Sequence, residues 1–592
     1  MVINSPRRRA AAFVLVLLLL LVGSFLSAPA AGARSSSLKW GECPAGTPRQ
    51  VSCASLRVPL DYANPDGEQI TLTVSGMGSL SSPHYLLVNP GGPGASGLGT
   101  EKLVFSQLPQ EVAQQYAVFS FDPRGIGSST PVSCGDTAKL TPHPAAPYQA
   151  GLEQERNRED LARQIAEQCA ANGKDLLRHV TTENAARDMD RIRAALGKDK
   201  IDYLGYSYGT KLGATYATLF PGHTGRMILD SVVDPTVTTY QTQFQQNAAL
   251  QARAEQLFAW TAERDSTYHL GATTAAVQTS WNELRDKLAA QPADGKTGVS
   301  ELDDLLSSAM YGDGAWPSLM QAVASHRGGD STGLNVAAGQ AQYAVDPGQL
   351  AYNCADAGWP RNWATWHADT AQSARTAPLF AWLNSWYSAP CAFWRAPPSP
   401  EVRIGSAPVP PILLLQGKDD PATPLVGAQR MHRVLRGSSL LVDGGGNHAA
   451  YLNEPNPCID GPAAHYLLTG ELPEDGTCPP GGSEAAPSDP APSDPAPSDP
   501  ALSDTAPAPA DSGPSSTVLS SAAPSDTVLS NTALSHAASP GTAPPNTAPP
   551  GTSLSNAAPP STAPLNAAPP GTAPSATALS ETAPPAAAPP GG

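Results

Sequence analysis

An α/β fold, a mostly parallel sheet flanked by helices, is the class predicted for the middle of this 592-residue sequence. Three observations lead there. Between Leu56 and Cys478, short apolar runs alternate with segments of helical periodicity, the pattern of parallel strands joined through helices. The runs stop at turns rich in Gly, Pro or Asp. Both ends of the chain differ so much in composition that they stand apart from any packed core.

The strand candidates follow in order. Gln69–Val74 is the first. Tyr85–Val88 leads into Asn89-Pro90-Gly91-Gly92-Pro93-Gly94, and Ala117–Phe121 into Asp122-Pro123-Arg124-Gly125. A helix over Asn184–Leu196 carries Met189, Ile192 and Leu196 on one stripe, with Gly197 as its stop. Ile201–Leu204 runs into Gly205-Tyr206-Ser207-Tyr208-Gly209, and Met227–Leu229 ends at Asp230. Far downstream, Ile412–Leu415 is followed by Asp419-Asp420, and Ser439–Val442 by Gly446-Asn447-His448. The interval 235–407 lacks this rhythm. It is helical in pattern and rich in Trp and Ala, as expected of a helical cap domain inserted between two strands.

The first 33 residues have a secretory layout: Arg7–Arg9, an apolar run from Phe13 to Val22, then Ala28-Pro29-Ala30 and Ala31-Gly32-Ala33 as small-x-small sites. The run falls short of the roughly 20 residues of a spanning helix, so cleavage is expected over retention as an anchor. From residue 479 the chain turns to Pro, Ala, Ser and Thr. Too few apolar side chains remain to offset chain entropy, which predicts a disordered stalk. A solvated tail without a partner is the expectation, with cell-wall association the specific alternative. The division is therefore 1–33 signal peptide, 34–234 core, 235–407 cap, 408–478 second part of the core and 479–592 tail.

A net charge of −16 argues against a nucleic-acid partner. The eight cysteines, Cys43, Cys53, Cys134, Cys169, Cys354, Cys391, Cys458 and Cys478, read as disulfides behind a leader. Neighbour pairing is the expectation: 43–53, 134–169, 354–391 and 458–478. No CxxC spacing occurs and no His cluster lies near the cysteines, so zinc is a poor alternative to disulfides; no metal and no cofactor are expected.

Gly205–Gly209 matches G-x-S-x-G, in which a strand turns sharply into a helix and lifts the serine clear of the sheet. Gly329-Asp330-Ser331-Thr332-Gly333 matches as well, but without a strand before it or an apolar helix after it, so it is read as chance. Serine needs a base, and the base needs an orienting group. In the α/β-hydrolase fold the order is Ser, acid, His. That order selects Ser207 as nucleophile and His448 as base. The acid is Asp420 or Asp419, with Asp230 and Asp234 as an alternative position. The oxyanion donors expected are the backbone N–H groups of Tyr208 and Gly92. The glycine loop lacks the Walker lysine and a G-x-G-x-x-G spacing, so a phosphate cradle is rejected.

Val58–Tyr62, Asn89–Gly97, Phe121–Gly125, Gly205–Thr210 and Gly417–Pro424 together resemble the secreted tripeptidyl aminopeptidases of actinomycetes, relatives of proline iminopeptidase in the S33 group. The likeness spans about residues 40–478. It implies that the acid lies in Asp420-Pro421-Ala422-Thr423-Pro424, which favours Asp420, and that a TAP-like region closes the core. It also implies that cap carboxylates hold a substrate's free amino group. Glu301, Asp303, Asp304 and Asp313 lie in the cap, but no motif carries the role to any one of them, and most are expected as surface charges. Asn447 departs from the glycine more usual before the histidine.

The leading expectation is a secreted serine exopeptidase that releases short peptides, tripeptides above all, from free N-termini. A cell-envelope carboxylesterase or lipase-like hydrolase is its rival, and a non-catalytic wall-associated binding protein the alternative of another class. Epoxide hydrolases and dehalogenases carry Asp at the elbow, where this chain has Ser207.

Overall fold

The computed structural model describes residues 38–136, 148, 151–341, 345–356 and 358–481. The expected leader and residues 482–592 of the expected tail lie outside the described residues.

Nine strands form one sheet: β1 (Ser52–Pro59), β2 (Gln69–Met77), β3 (His84–Asn89), β4 (Tyr116–Phe121), β5 (Ile201–Tyr206), β6 (Thr224–Asp230), β7 (Ile412–Gly417), β8 (Ser439–Asp443) and β9 (Gly476–Cys478). Their order is β1-β2-β4-β3-β5-β6-β7-β8-β9. The β1–β2 and β2–β4 pairs are antiparallel and the rest parallel. Central strands are buried on both faces, which is why they read as unbroken apolar runs. In β5, Ile201 and Tyr203 enter one core cluster while Leu204 and Tyr206 enter the other. In β7, Ile412 and Leu414 alternate with Leu413 and Leu415 in the same way.

Two strands escape the sequence reading for physical reasons. β1 is an edge strand with Ser52, Ser55 and Arg57 exposed, so no apolar run marks it. β9 is only three residues long. Strand order reverses between β3 and β5, the switch point at which open α/β sheets offer a crevice beyond their carboxyl ends. The glycine loop after β3 and the Ser207 turn after β5 both open there.

Helices α1 (Thr100–Gln107), α2 (Leu152–Gly173), α3 (Thr182–Ala195) and α4 (Tyr208–Leu219) connect the first six strands. Between β6 and β7 lies the helical insertion: α5 (Thr239–Ala262), α6 (Thr274–Ala290), α7 (Val299–Ala309), α8 (Trp316–Arg327), α9 (Thr332–Ala341), α10 (Pro347–Asp356), α11 (Trp363–Ser373) and α12 (Ala381–Ser388). After β7 come α13 (Leu425–Val434) and α14 (Pro457–Thr469).

The insertion is divided by its packing. Leu257, Phe258, Trp281, Leu302, Met320 and Leu334 make a core of their own. Tyr352, Trp359 and Trp366, from α10, the turn after it and α11, pack instead into the cluster that contains Tyr203 and Leu414. The first part, the lid, thus has a core of its own, joined by Leu379 and Phe380, while Tyr240 of α5 and the second part pack against the sheet. Disulfides join Cys43–Cys53, Cys134–Cys169, Cys354–Cys391 and Cys458–Cys478, the last tying α14 to edge strand β9.

Candidate active site

β5 ends at Tyr206 and α4 begins at Tyr208, leaving Ser207 alone in the turn at φ 55° and ψ −123°. That is a strained backbone for a residue with a Cβ. The turn closes because its neighbours are glycines. A Cβ on Gly205 would come within 2.5 Å of the Gly209 carbonyl oxygen, and one on Gly209 within 2.9 Å of the Asn89 oxygen. The Ser207 N–H donates to the Asp230 carbonyl at 2.9 Å, which fastens the turn to β6.

The glycine loop lies directly against this turn. Gly91 has φ 99°, and a Cβ there would fall 2.5 Å from the Tyr206 oxygen, 2.9 Å from Ser207 Cβ and 3.2 Å from the Tyr208 nitrogen. Its own N–H is taken by Asn89 Oδ1 at 3.0 Å. Gly92 follows at φ 106°. The loop is held by Asp122, whose carboxylate accepts from Ser96 Oγ (2.6 Å), Gly97 N (3.0 Å) and Ser128 N (2.7 Å). Burial pushes the Asp122 carboxyl above its ordinary pKa against those hydrogen bonds. Two residues on, the fully buried Arg124 pairs with Asp188 at 2.6 Å and donates to the Pro59 and Leu60 carbonyls. Segments 58–62, 89–97 and 121–125 therefore support one loop.

His448 sits past the end of β8. Its Nδ1 lies 2.9 and 3.0 Å from the two carboxylate oxygens of Asp420. Asp420 is itself locked, accepting from Ala422 N, Thr423 N and Thr423 Oγ1, each at 2.9 Å. Burial alone would raise the Asp420 pKa, but the imidazole and these donors hold it below the usual carboxylate range. Burial likewise disfavours a charge on His448, yet the Asp420 carboxylate, helped by Asp230, carries its pKa above the ordinary imidazole value. Asp419 points elsewhere, accepting from Gln256 Nε2 at 3.1 Å.

Asp230 and Asp234 have other work. The Asp230 carboxylate accepts the N–H groups of Ala450 (2.9 Å) and Tyr451 (2.7 Å), while Ser231 Oγ accepts that of Ala449 (2.7 Å). The end of β6 thus anchors both the Ser207 turn and the backbone after His448. Sequence reasoning missed this anchor, because nothing local to Asp230 points to residue 450. Full burial pushes the Asp230 carboxyl up to about 7, against the pull of those N–H groups. Asp234 pairs with Arg430 at 2.5 Å.

The cap carboxylates correct an expectation: most are not surface charges. Asp303 is buried and bonded to Arg285 at 2.7 and 2.8 Å. Glu301, also buried, caps its own helix by accepting from Gly298 N at 2.9 Å. Asp304 accepts from the Tyr148 hydroxyl at 2.5 Å. Asp313 alone of the four is well exposed, and it pairs with Arg253. Ser331, in the second G-x-S-x-G match, lies between α8 and α9 and contacts His326 Nδ1 at 3.0 Å.

A serine on a strained turn, a carboxylate-supported imidazole and a glycine loop packed against that turn are parts that acyl transfer uses. Among the described residues no group of three or more His, Cys, Asp or Glu could hold a metal ion, and no helix is long and apolar enough to cross a membrane.

The family described as the alpha/beta hydrolase fold matches residues 85–455. A tripeptidyl aminopeptidase of Streptomyces lividans is 38% identical over 473 residues, covering 76% of this chain and 88% of that protein. The serine protease Hip1 of Mycobacterium tuberculosis is 31% identical over 480 residues, covering 74% and 90%. A carboxylesterase B of Mycobacterium tuberculosis is 31% identical over 457 residues, covering 72% and 85%.

Proposed function

Because this chain belongs to the α/β-hydrolase family, as a serine hydrolase homologous to tripeptidyl aminopeptidases and Hip1-like serine proteases, we propose that it is a secreted exopeptidase. In this reading it releases short peptides, tripeptides above all, from free N-termini. The observation that carries it is the 38% identity to a tripeptidyl aminopeptidase, which spans most of both chains.

Each residue then has a role. Ser207 Oγ attacks the scissile carbonyl carbon. With Nδ1 on Asp420, His448 keeps Nε2 as its basic nitrogen and takes the serine proton there. Asp420 orients the ring and stabilises the imidazolium. The negative oxygen of the tetrahedral intermediate is received by backbone N–H groups of Tyr208 and Gly92. Gly91 cannot serve, since its N–H is spent on Asn89. Collapse breaks the C–N bond, the leaving amine takes the proton from His448, and water then hydrolyses the acyl-serine by the same route. The lid over 239–341 is the source of substrate selection. After leader cleavage the enzyme acts outside the cell.

A second reading, an ester hydrolase, is favoured by the likeness to carboxylesterase B. Hydrolysis rates on a tripeptide anilide, its N-acylated form and a short acyl ester separate the two. The exopeptidase reading expects the free anilide to be cleaved and the blocked form to be nearly inert. Equal rates on blocked and free anilides, or turnover of the ester alone, would overturn it.

A further inference from the structure

The backbone around His448 is gripped from two sides, and one of them is the lid. From the core, Asp419 N donates to the Gly445 carbonyl at 3.0 Å, and a Cβ on Gly417 would meet the Asn447 oxygen at 2.7 Å. From the lid, the turn after α7 supplies three contacts. The His448 N–H donates to the Tyr311 carbonyl at 2.8 Å. The Tyr311 ring stands edge-on to the imidazole, 5.2 Å between centroids. The Asp313 N–H donates to Asn447 Oδ1 at 2.9 Å.

Arg253, on lid helix α5, completes the grip. Its side chain is only 5% exposed and lies over the Trp316 ring at 4.5 Å. The guanidinium donates to Asn447 Oδ1 at 3.3 Å and to Gln256 Oε1 at 2.6 Å, and it pairs with Asp313. It also presses on the backbone, since a Cβ on Gly446 would lie 2.5 Å from the guanidinium carbon. Burial lowers the Arg253 pKa to about 10, opposed by Asp419, Asp420 and Glu454, so it stays a cation at neutral pH.

We propose that Arg253 and Asn447 are positioning residues that latch the lid onto residues 446–448 and so set the pose of the catalytic base. The Asn447 amide oxygen gives the lid something to hold. A glycine there would leave the core contacts in place and remove two of the lid's.

The proposal rests on the assignment of Ser207 and His448 above but not on the identity of the substrate. The test is the rate of covalent labelling by a fluorophosphonate, with kcat and KM on a cleaved substrate and a thermal melt alongside. In Asn447→Gly, labelling rate and kcat should fall together by about 10-fold, a fraction of what a general base contributes, while KM changes by less than about 3-fold. Arg253→Met should lose more, Arg253→Lys should recover part of the loss, and the double variant Arg253→Met/Asn447→Gly should be no worse than the worse single, as for one shared interaction. Should Arg253→Met fail to fold, Asn447→Gly carries the test, since it removes a side chain from a turn. Wild-type labelling in Asn447→Gly, a loss confined to KM, or losses that multiply in the double variant would overturn the latch. Labelling that survived Ser207→Ala would overturn the serine assignment and the latch with it, a result distinct from wild-type labelling in the latch variants.

Discussion

The serine side and the histidine side of this site are built from different material. Ser207 is fixed by β5, by the Asp230 carbonyl on β6 and by the glycine loop after β3, all parts of the central sheet. His448 is held from the core by Asp420, with the backbone after it tied to Asp230 and Ser231 at the end of β6, and it is held from the lid as well, by Tyr311, Asp313 and Arg253. The Ser207 turn is therefore held by elements of the core, whereas the proposed base is also touched by helices that share a hydrophobic cluster of their own.

The largest expected effect tests the rigid side. Ser207→Ala should abolish fluorophosphonate labelling and reduce kcat by on the order of 10,000-fold or more, while the melting temperature stays within about 2 °C. Retained turnover in that variant would break the comparison at its first term.

Asp420→Asn probes the histidine side from the core and should cost about 10,000-fold in kcat by upsetting the imidazole tautomer. It should also move the pH profile. With His448 as the proposed base, activity needs the neutral imidazole and rises with pH through a folded-state pKa that the Asp420 carboxylate holds above the ordinary imidazole value. Without that charge, the acid limb of residual kcat/KM should shift to lower pH. An unmoved limb would mean that the titrating group is not this imidazole.

Gly91→Ala comes next. The added methyl meets the Tyr206 oxygen at a positive φ, so about 1–3 kcal/mol of stability should go in urea unfolding. Displacement of the oxyanion loop should lower kcat by roughly 100- to 1,000-fold. Full activity there would show that the loop does not serve the elbow. The smallest effect belongs to Ser331→Ala, in the second G-x-S-x-G match. Labelling should change by less than about 2-fold, as for an ordinary surface substitution.

Much of the frame is legible without coordinates because it is local. β3, β5, β6, β7 and β8 announce themselves as apolar runs, buried on both faces. Ser207 is legible because the elbow needs its glycines within two residues on either side. β1 is silent because an edge strand alternates polar with apolar residues. The choice between Asp419 and Asp420, four and five residues past the last apolar position of β7, needed a family likeness, since both follow the same strand.

Alone, the sequence determined the sheet's central strands and the strand–turn–helix at Ser207. These depend on periodicity and turn sterics, each expressed within a few residues. Only the tertiary structure decided that Asp230 anchors the backbone after His448, that the insertion divides into a lid and a flank, and that Arg253 reaches Asn447. The hydrogen bonds of Arg253 to Asn447 and of Asp230 to residues 450 and 451 join residues 194 to 221 positions apart. No local pattern encodes them, because each partner's residue type is also satisfied by many other neighbours.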